Sequence, residues 1–377
     1  MSRIMNGDAN SKRLFALFTL LLGFSLTTAM TAWATTPTDS EEPGSVLVFP
    51  LFETGTVVQD GVIVPKTQIE ISITRCPGGS TVDSCTTDFA EDVNLHADWV
   101  CGASPFVFQV CAEADFTLES TPKGTILINP ENIGTPCPAL PATQTPGCIQ
   151  SVPTPPCTQG YLIVWVVDDN EAPIKFDRLI GDAVIREHPN GMAETATTAF
   201  AYNAIPIQAA ATLADGALIP GGGTALNFNG TAYKLVTGKV YASVHFNDPT
   251  AIHEVGTEFV LLTLDVTSNA FNDPTKVAFN DFNENQNQHS GSRLFTCWDR
   301  TNIQNIDKSA TVSFGVKGFW ESTSANDLAF FSGGKVGPVT LLGLVITSEG
   351  TAAAGIERQY AYPFLNNSVG VSTSFIP

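Results

Sequence analysis

Basic residues are scarce in this chain. Lys and Arg number 18 against 37 Asp and Glu, a formal net charge of −19. No basic cluster occurs, so neither nucleic acid nor an anionic membrane surface would be attracted. Past residue 34 no stretch of 18 apolar residues exists, which excludes a membrane-spanning helix in the mature chain. G-x-S-x-G, H-E-x-x-H and a phosphate-binding glycine loop are all missing. So are C-x-x-C and any close histidine pair, which removes the usual zinc sites. The scarcity of Lys and Arg, common on helix surfaces, combines with abundant Gly, Pro, Thr, Asn, Val and Phe to favour strands and turns.

What is present begins with an export signal. Arg3, Lys12 and Arg13 precede an uncharged apolar run from Leu14 to Leu26, and Ala32-Trp33-Ala34 supplies a small-residue cleavage site. The apolar run, about 13 residues, is too short to span a bilayer. Cleavage after Ala34 would remove three basic residues and one acidic one (Asp8), leaving 15 basic and 36 acidic side chains, a net charge of −21. Secretion to the periplasm, the cell surface or the medium is expected.

The mature chain divides by composition into a Cys-rich β region at 35–190, an Ala/Thr/Gly-rich insert or linker at 191–223, and a second β half at 224–377 that could form one unit with the first. In the first region Ser45 to Phe52 is a strand carrying Pro50, which predicts an edge strand or one that ends there. Asp60-Gly61 reads as a two-residue hairpin turn. Ile69, Ile71 and Ile73 alternate with polar residues, as do Val93, Leu95, Ala97 and Trp99 with Asn94, His96 and Asp98, the pattern of half-buried antiparallel strands. Tyr161 to Val167 is apolar throughout and is expected at the centre of a sheet. Leu179 to Ile185 fits a strand or a short helix, and Ala209 to Asp215 is the best helix candidate. Further strands are predicted from Tyr233 to Phe364. The fold class that follows is all-β, antiparallel sheets packed as one or two sandwiches with long disulfide-stapled loops. An outer-membrane barrel is disfavoured by the clustered cysteines and the doubly apolar 161–167 strand.

Seven of the eight cysteines, Cys76, Cys85, Cys101, Cys111, Cys137, Cys148 and Cys157, fall within 82 residues, and Cys297 stands alone. An even count in an exported chain implies four disulfides. Local pairs Cys76–Cys85 and Cys101–Cys111 are expected. Two of the three remaining clustered cysteines would pair together, and the third would tie to Cys297. Between Pro130 and Pro156 these bonds would rigidify a proline-rich loop. Such a loop is expected to act as a binding face whose removal, over 131–156, would spare the fold.

Few constellations carry chemistry. Ser120-Thr-Pro-Lys123 matches S-x-x-K, but its partner motifs are missing and Pro122 favours a β-turn. Glu113 and Asp115 share one strand face, as a glycosidase carboxyl pair could. The five histidines are scattered. Asp281-Phe-Asn283-Glu-Asn285 follows the opening of a calcium loop, with Gln286 where the turn glycine would stand and Ser292 in place of the closing glutamate. Asp281, Asn283 and Asn285 are therefore the candidate Ca²⁺ ligands; no other cofactor is expected. The Asp168-Asp169 turn is a weaker candidate for calcium, and an exposed Trp would suggest a glycan platform.

Three segments, Gly44-Ser-Val-Leu-Val-Phe-Pro-Leu51, Gly160-Tyr-Leu-Ile-Val-Trp-Val-Val-Asp168 and Leu179-Ile-Gly-Asp-Ala-Val184, resemble a family of exported bacterial β-rich proteins with no established function. The resemblance implies a secreted β protein and brings no catalytic residues with it. A non-enzymatic binding or structural role is thus expected, with a protein or glycan ligand at the envelope or outside the cell. The alternative is a secreted hydrolase using paired carboxylates. A concave pocket with two or more perturbed acids would mark the hydrolase, and a flat surface or sheet edge the binder.

Overall fold

The computed structural model describes residues 42–74, 93–102, 111–121, 124–138, 147–187, 198–221, 225–246, 253–264, 274–306, 317–327, 339–351, 355–366, 370–371 and 373–375. The leader, Cys76, Cys85 and the strands expected at 106–110 and 311–316 lie outside the described residues. In chain order the first half contributes β1 (Val46–Glu53), β2 (Thr56–Gln59), β3 (Val62–Pro65), β4 (Thr67–Ile73), β5 (Val93–Cys101), β6 (Glu113–Ser120), β7 (Thr125–Ile128), β8 (Gln159–Val167), β9 (Leu179–Glu187), β10 (Thr198–Asn203) and β11 (Ile205–Ile207). Next come β12 (Leu226–Phe228), β13 (Val236–Thr237), β14 (Val240–His245), β15 (His253–Leu262), β16 (Thr275–Asn283), β17 (Gln288–Phe295) and β18 (Trp298–Asn302). The one short helix here, α1 (Ile303–Ile306), precedes β19 (Lys317–Asp327), β20 (Leu342–Thr351), β21 (Gly355–Pro363), β22 (Leu365–Asn366), β23 (Gly370–Val371) and β24 (Thr373–Phe375).

Four larger antiparallel sheets result. Their strand orders are β11-β1-β8-β5-β6 (the β1 sheet), β10-β9-β4-β7 (the β9 sheet), β18-β15-β20-β21 (the β15 sheet) and β17-β16-β19-β14-β22 (the β16 sheet). The all-β antiparallel class is as the patterning requires. Alternation sorts the faces. Phe49 of β1 points to the β9 sheet, where a Cβ on Gly181 would lie 2.6 Å from its ring. Tyr161 of β8 points the other way, and its hydroxyl donates to Thr263 O just past β15 at 3.3 Å. One apolar core accordingly joins the β1 and β9 sheets to Val260, Leu262, Leu344 and Ile346. A second joins the alternate residues Phe259, Leu261 and Val345 to Val277, Phe279 and Trp320 of the β16 sheet. The β1 and β15 sheets are therefore covered on both faces.

That double coverage corrects two expectations. β1 is interior, paired with β11 on one side and β8 on the other, and Pro50 is accommodated at a register shift between Phe49 and Phe52. In β5 the polar set is also covered: His96 and Asp98 are buried. Other readings stand. β8 is the middle strand of its sheet and buried along eight of its nine residues. Asp60 and Gly61 both have positive φ, 52° and 78°, as a type I′ turn demands. Leu179 to Glu187 is a strand, and the segment proposed as helix at 209–215 is a series of turns tied to Ala232 and Lys175. Residues 198–207, within the compositionally distinct stretch, supply β10 to the β9 sheet and β11 to the β1 sheet.

Among the described residues the disulfides are Cys101–Cys157, Cys111–Cys297 and Cys137–Cys148. The expected Cys101–Cys111 bond is excluded by the pleat. Cys101 N donates to Ala112 O at 2.9 Å and Val100 faces Glu113, so Cys101 is opposite residue 112 and Cys111 projects from the other face. Cys101 consequently meets Cys157, and Cys111, rather than a cysteine of the proline-rich loop, ties the halves together through Cys297. Two loop cysteines, Cys137 and Cys148, do pair.

The loop itself is built into the fold. Ile149 and Val152 are buried, Asn132 exchanges two hydrogen bonds with Val152, and Trp99 Nε1 donates to Pro153 O at 3.1 Å. Deleting 131–156 would remove the buried Ile149 and Val152 and take away the acceptor of the Trp99 indole N–H, each at a cost in stability.

Candidate functional site

Surface concavity and unpaired charge coincide on the outer face of the β9 sheet. Register places Glu70 of β4 opposite Asp182 of β9, and Asp182 opposite Asn203 of β10, three polar side chains in one row. Like charges directly opposite on a sheet destabilise it. No ion pair to Glu70 or Asp182 exists among the described residues; Ser72 donates to Glu70 at 3.3 Å. Burial, and then the Glu70 charge, raises the Asp182 pKa above the ordinary carboxylate range.

The row borders a cleft of about 260 Å³. Leu47 and Pro206 line it together with the rim residue Ile180, while Glu42 adds a third carboxylate. Gly181, beside Asp182, has no side chain because a Cβ there would point into the core and lie 2.6 Å from the Phe49 ring and 2.7 Å from the Glu70 carbonyl. Glu42 has its own partner, Lys234, at 3.9 Å. Carboxylates above an apolar strip match a Lys or Arg side chain, whose stem buries while its cation pairs. Sequence reasoning missed this site because Glu70, Asp182 and Asn203 are far apart in the chain and only strand register unites them.

A second acidic group lies inside. Glu113 and Asp115 share a face of β6, as alternation indicates, and Asp98 of β5 stands directly opposite Asp115. Asp98 is 1% exposed, and its Oδ2 has no hydrogen-bond partner among the described residues. Burial, reinforced by Glu113 and Asp115, raises its pKa to about 7. Burial and Asp115 likewise raise Glu113 to about 7. His96, two residues away on the same face, stacks on Trp165 with ring centroids 4.6 Å apart, and neither imidazole nitrogen has a partner among the described residues. Burial lowers its pKa, opposed by Asp115 and Glu171.

The proposed calcium ligands occupy a β-hairpin. Asp281 is buried within β16, Asn283 ends that strand, and Asn285 is exposed in the turn. Asn283 Oδ1 accepts from the backbone N–H groups of Asn285 and Asn287 at 2.9 and 2.8 Å. A cation here would have to compete with both bonds. Asp168 Oδ1 is used similarly, accepting from Asn170 and Ala172, each at 2.9 Å. Among the described residues no three His, Cys, Asp or Glu side chains converge as metal ligands. Ser120 is buried, and Gly124 N donates to Thr121 O at 2.7 Å, the turn expected in place of a serine nucleophile. Trp99, Trp165, Trp298 and Trp320 are all buried, which overturns the exposed Trp platform.

No protein-family model matches the chain, and no curated protein shows significant similarity to it.

Proposed function

We propose that this is an exported, non-enzymatic protein of the cell envelope or exterior that holds a partner protein through a basic side chain seated in the Glu70–Asp182 cleft. The observation that carries the reading is the directly opposed pair Glu70 and Asp182, which lacks a cation among the described residues. A partner's ammonium or guanidinium would relieve that repulsion and form charge-assisted hydrogen bonds. Export is supported by three disulfides, the leader sequence and the resemblance to exported β-rich proteins. No helix among the described residues is long and apolar enough to cross a membrane.

A thermal-shift panel of Gly-Lys-Gly and Gly-Arg-Gly tripeptides, neutral oligosaccharides and Ca²⁺ tests the reading. Salt-sensitive stabilisation by a basic tripeptide supports it; stabilisation by oligosaccharide or Ca²⁺ alone, or by nothing, refutes it. The hydrolase reading draws on Asp98 and Glu113, a carboxyl pair that titrates near neutrality. Against it, Asp98 is sealed from solvent, and the described cleft lies on the β9 sheet instead.

A further inference from the structure

The acidic group on β5 and β6 sits where a sheet is easiest to open. β6 is the edge strand of the β1 sheet, bonded in it only to β5. Since Cys101 N bonds Ala112 O, the hydrogen-bonded register falls on residues 114, 116, 118 and 120 of β6, and the amides of 113, 115, 117 and 119 point away from β5. Asp98 and Asp115 thus occupy a non-hydrogen-bonded pair, where opposing side chains are closest. Glu113 is the diagonal neighbour. Three carboxyl groups share one patch, and none has an ion-pair partner among the described residues.

Among the described residues, no Lys or Arg lies beside this patch on the neighbouring elements. Along β5 the same face carries Asn94, His96 and Val100, and along β6 Thr117 and Glu119. β8 presents Tyr161, Ile163 and Trp165 opposite them. The turn after β8 adds Asp169, bonded by Asn94 at 3.3 Å, and Glu171. From the far end of the chain Phe375 packs on Trp165, and Cys297 bonds Cys111. The buried Asp98 Oδ2, without a hydrogen-bond partner among the described residues, is therefore held beside two further carboxyl groups, and a bound proton would neutralise it.

We propose that Asp98, Glu113 and Asp115 form a proton-binding site that clamps edge strand β6 onto β5, and that loss of the bound protons releases β6 from the sheet. The strand would leave from its Ser120 end, breaking the two hydrogen bonds that Glu119 exchanges with Gln150, because Cys101–Cys157 and Cys111–Cys297 pin the sheet covalently at the other. Release would uncover the free edge of β5, the kind of edge that accepts an added strand. This inference is independent of the cleft.

Amide hydrogen exchange across pH, corrected for the intrinsic rate, tests it. From about pH 5 to about pH 8.5 protection at Ala114, Phe116 and Leu118 should fall about tenfold or more, the value of one unit of displaced titration. Leu162 and Val164 of β8 should hold their protection. Asp98→Asn and Asp115→Asn should each blunt the response; Asp115 is exposed, so its variant serves if Asp98→Asn does not fold. Unchanged β6 protection, a parallel loss in β8, or an undiminished response in Asp115→Asn would each overturn the proposal.

Discussion

Arg300 Nη1 and Glu187 Oε1 meet at 2.7 Å, joining the β15 sheet to the β9 sheet across 113 residues of chain. The same nitrogen bonds Glu53 of β1, and Nε and Nη2 bond Glu258 at 2.9 and 2.7 Å. One guanidinium therefore serves three sheets. Its own pKa is pushed upward by the glutamates against the opposing effect of burial, while burial raises Glu53 and Arg300 helps depress Glu187.

Removing Arg300 should be costly because it strands three carboxylates together. Arg300→Met is expected to lose roughly 3–5 kcal/mol of stability, the range for breaking one side of a buried pair. Arg300→Lys should recover only part, since an ammonium lacks the planar fork that reaches all three partners. Urea denaturation of the two variants checks both magnitude and order.

The longest- and shortest-range disulfides of the described residues should differ in strength. Chain-entropy arguments give about 5 kcal/mol for Cys111–Cys297, whose cysteines are 186 residues apart, and about 3 kcal/mol for Cys137–Cys148, 11 apart. Paired alanine substitutions, compared by guanidinium denaturation, should rank in that order. Equal losses would show that local strain or residual structure outweighs loop closure.

Stability should fall as pH rises from about 4 to about 7. Asp98 and Glu113 both have folded-state values raised to about 7, so their contribution is complete below about pH 4 and disappears as pH passes about 7. Asp98 is buried enough for the effect to be on the order of 3 kcal/mol. Calorimetric melting from about pH 5 to about pH 8 should show a falling Tm, flattened in Asp98→Asn. Glu187, depressed by Arg300, acts in the opposite sense and weakens the fold only as the medium becomes acidic.

Much of this fold was legible in the chain. Ile69, Ile71 and Ile73 announced a half-buried strand, the unbroken apolar run of β8 its central position, and Asp60-Gly61 its hairpin. Alternation misled at β5: His96 and Asp98 carry the signature of a wet face, yet a second layer covers them. Periodicity reports which residues share a face, and says nothing of what lies beyond it. The cysteines failed for a related reason. Spacing brings Cys101 and Cys111 to one strand pair, but the pleat, fixed by the register of Val100 with Glu113, sends them to opposite faces. Glu113 and Asp115 were found as a pair because they are two apart on a strand. Their partner Asp98, like the opposed Glu70 and Asp182, depends on cross-strand register that a single sequence does not display.

The cleft is the centre of the functional account, and calorimetric titration with the blocked tripeptide Gly-Lys-Gly tests it most directly. The native protein should bind at low salt, and Asp182→Asn, which keeps the shape of the site, should weaken binding about tenfold or more, the worth of one charge-assisted hydrogen bond. Equal affinity in native protein and Asp182→Asn would contradict the account.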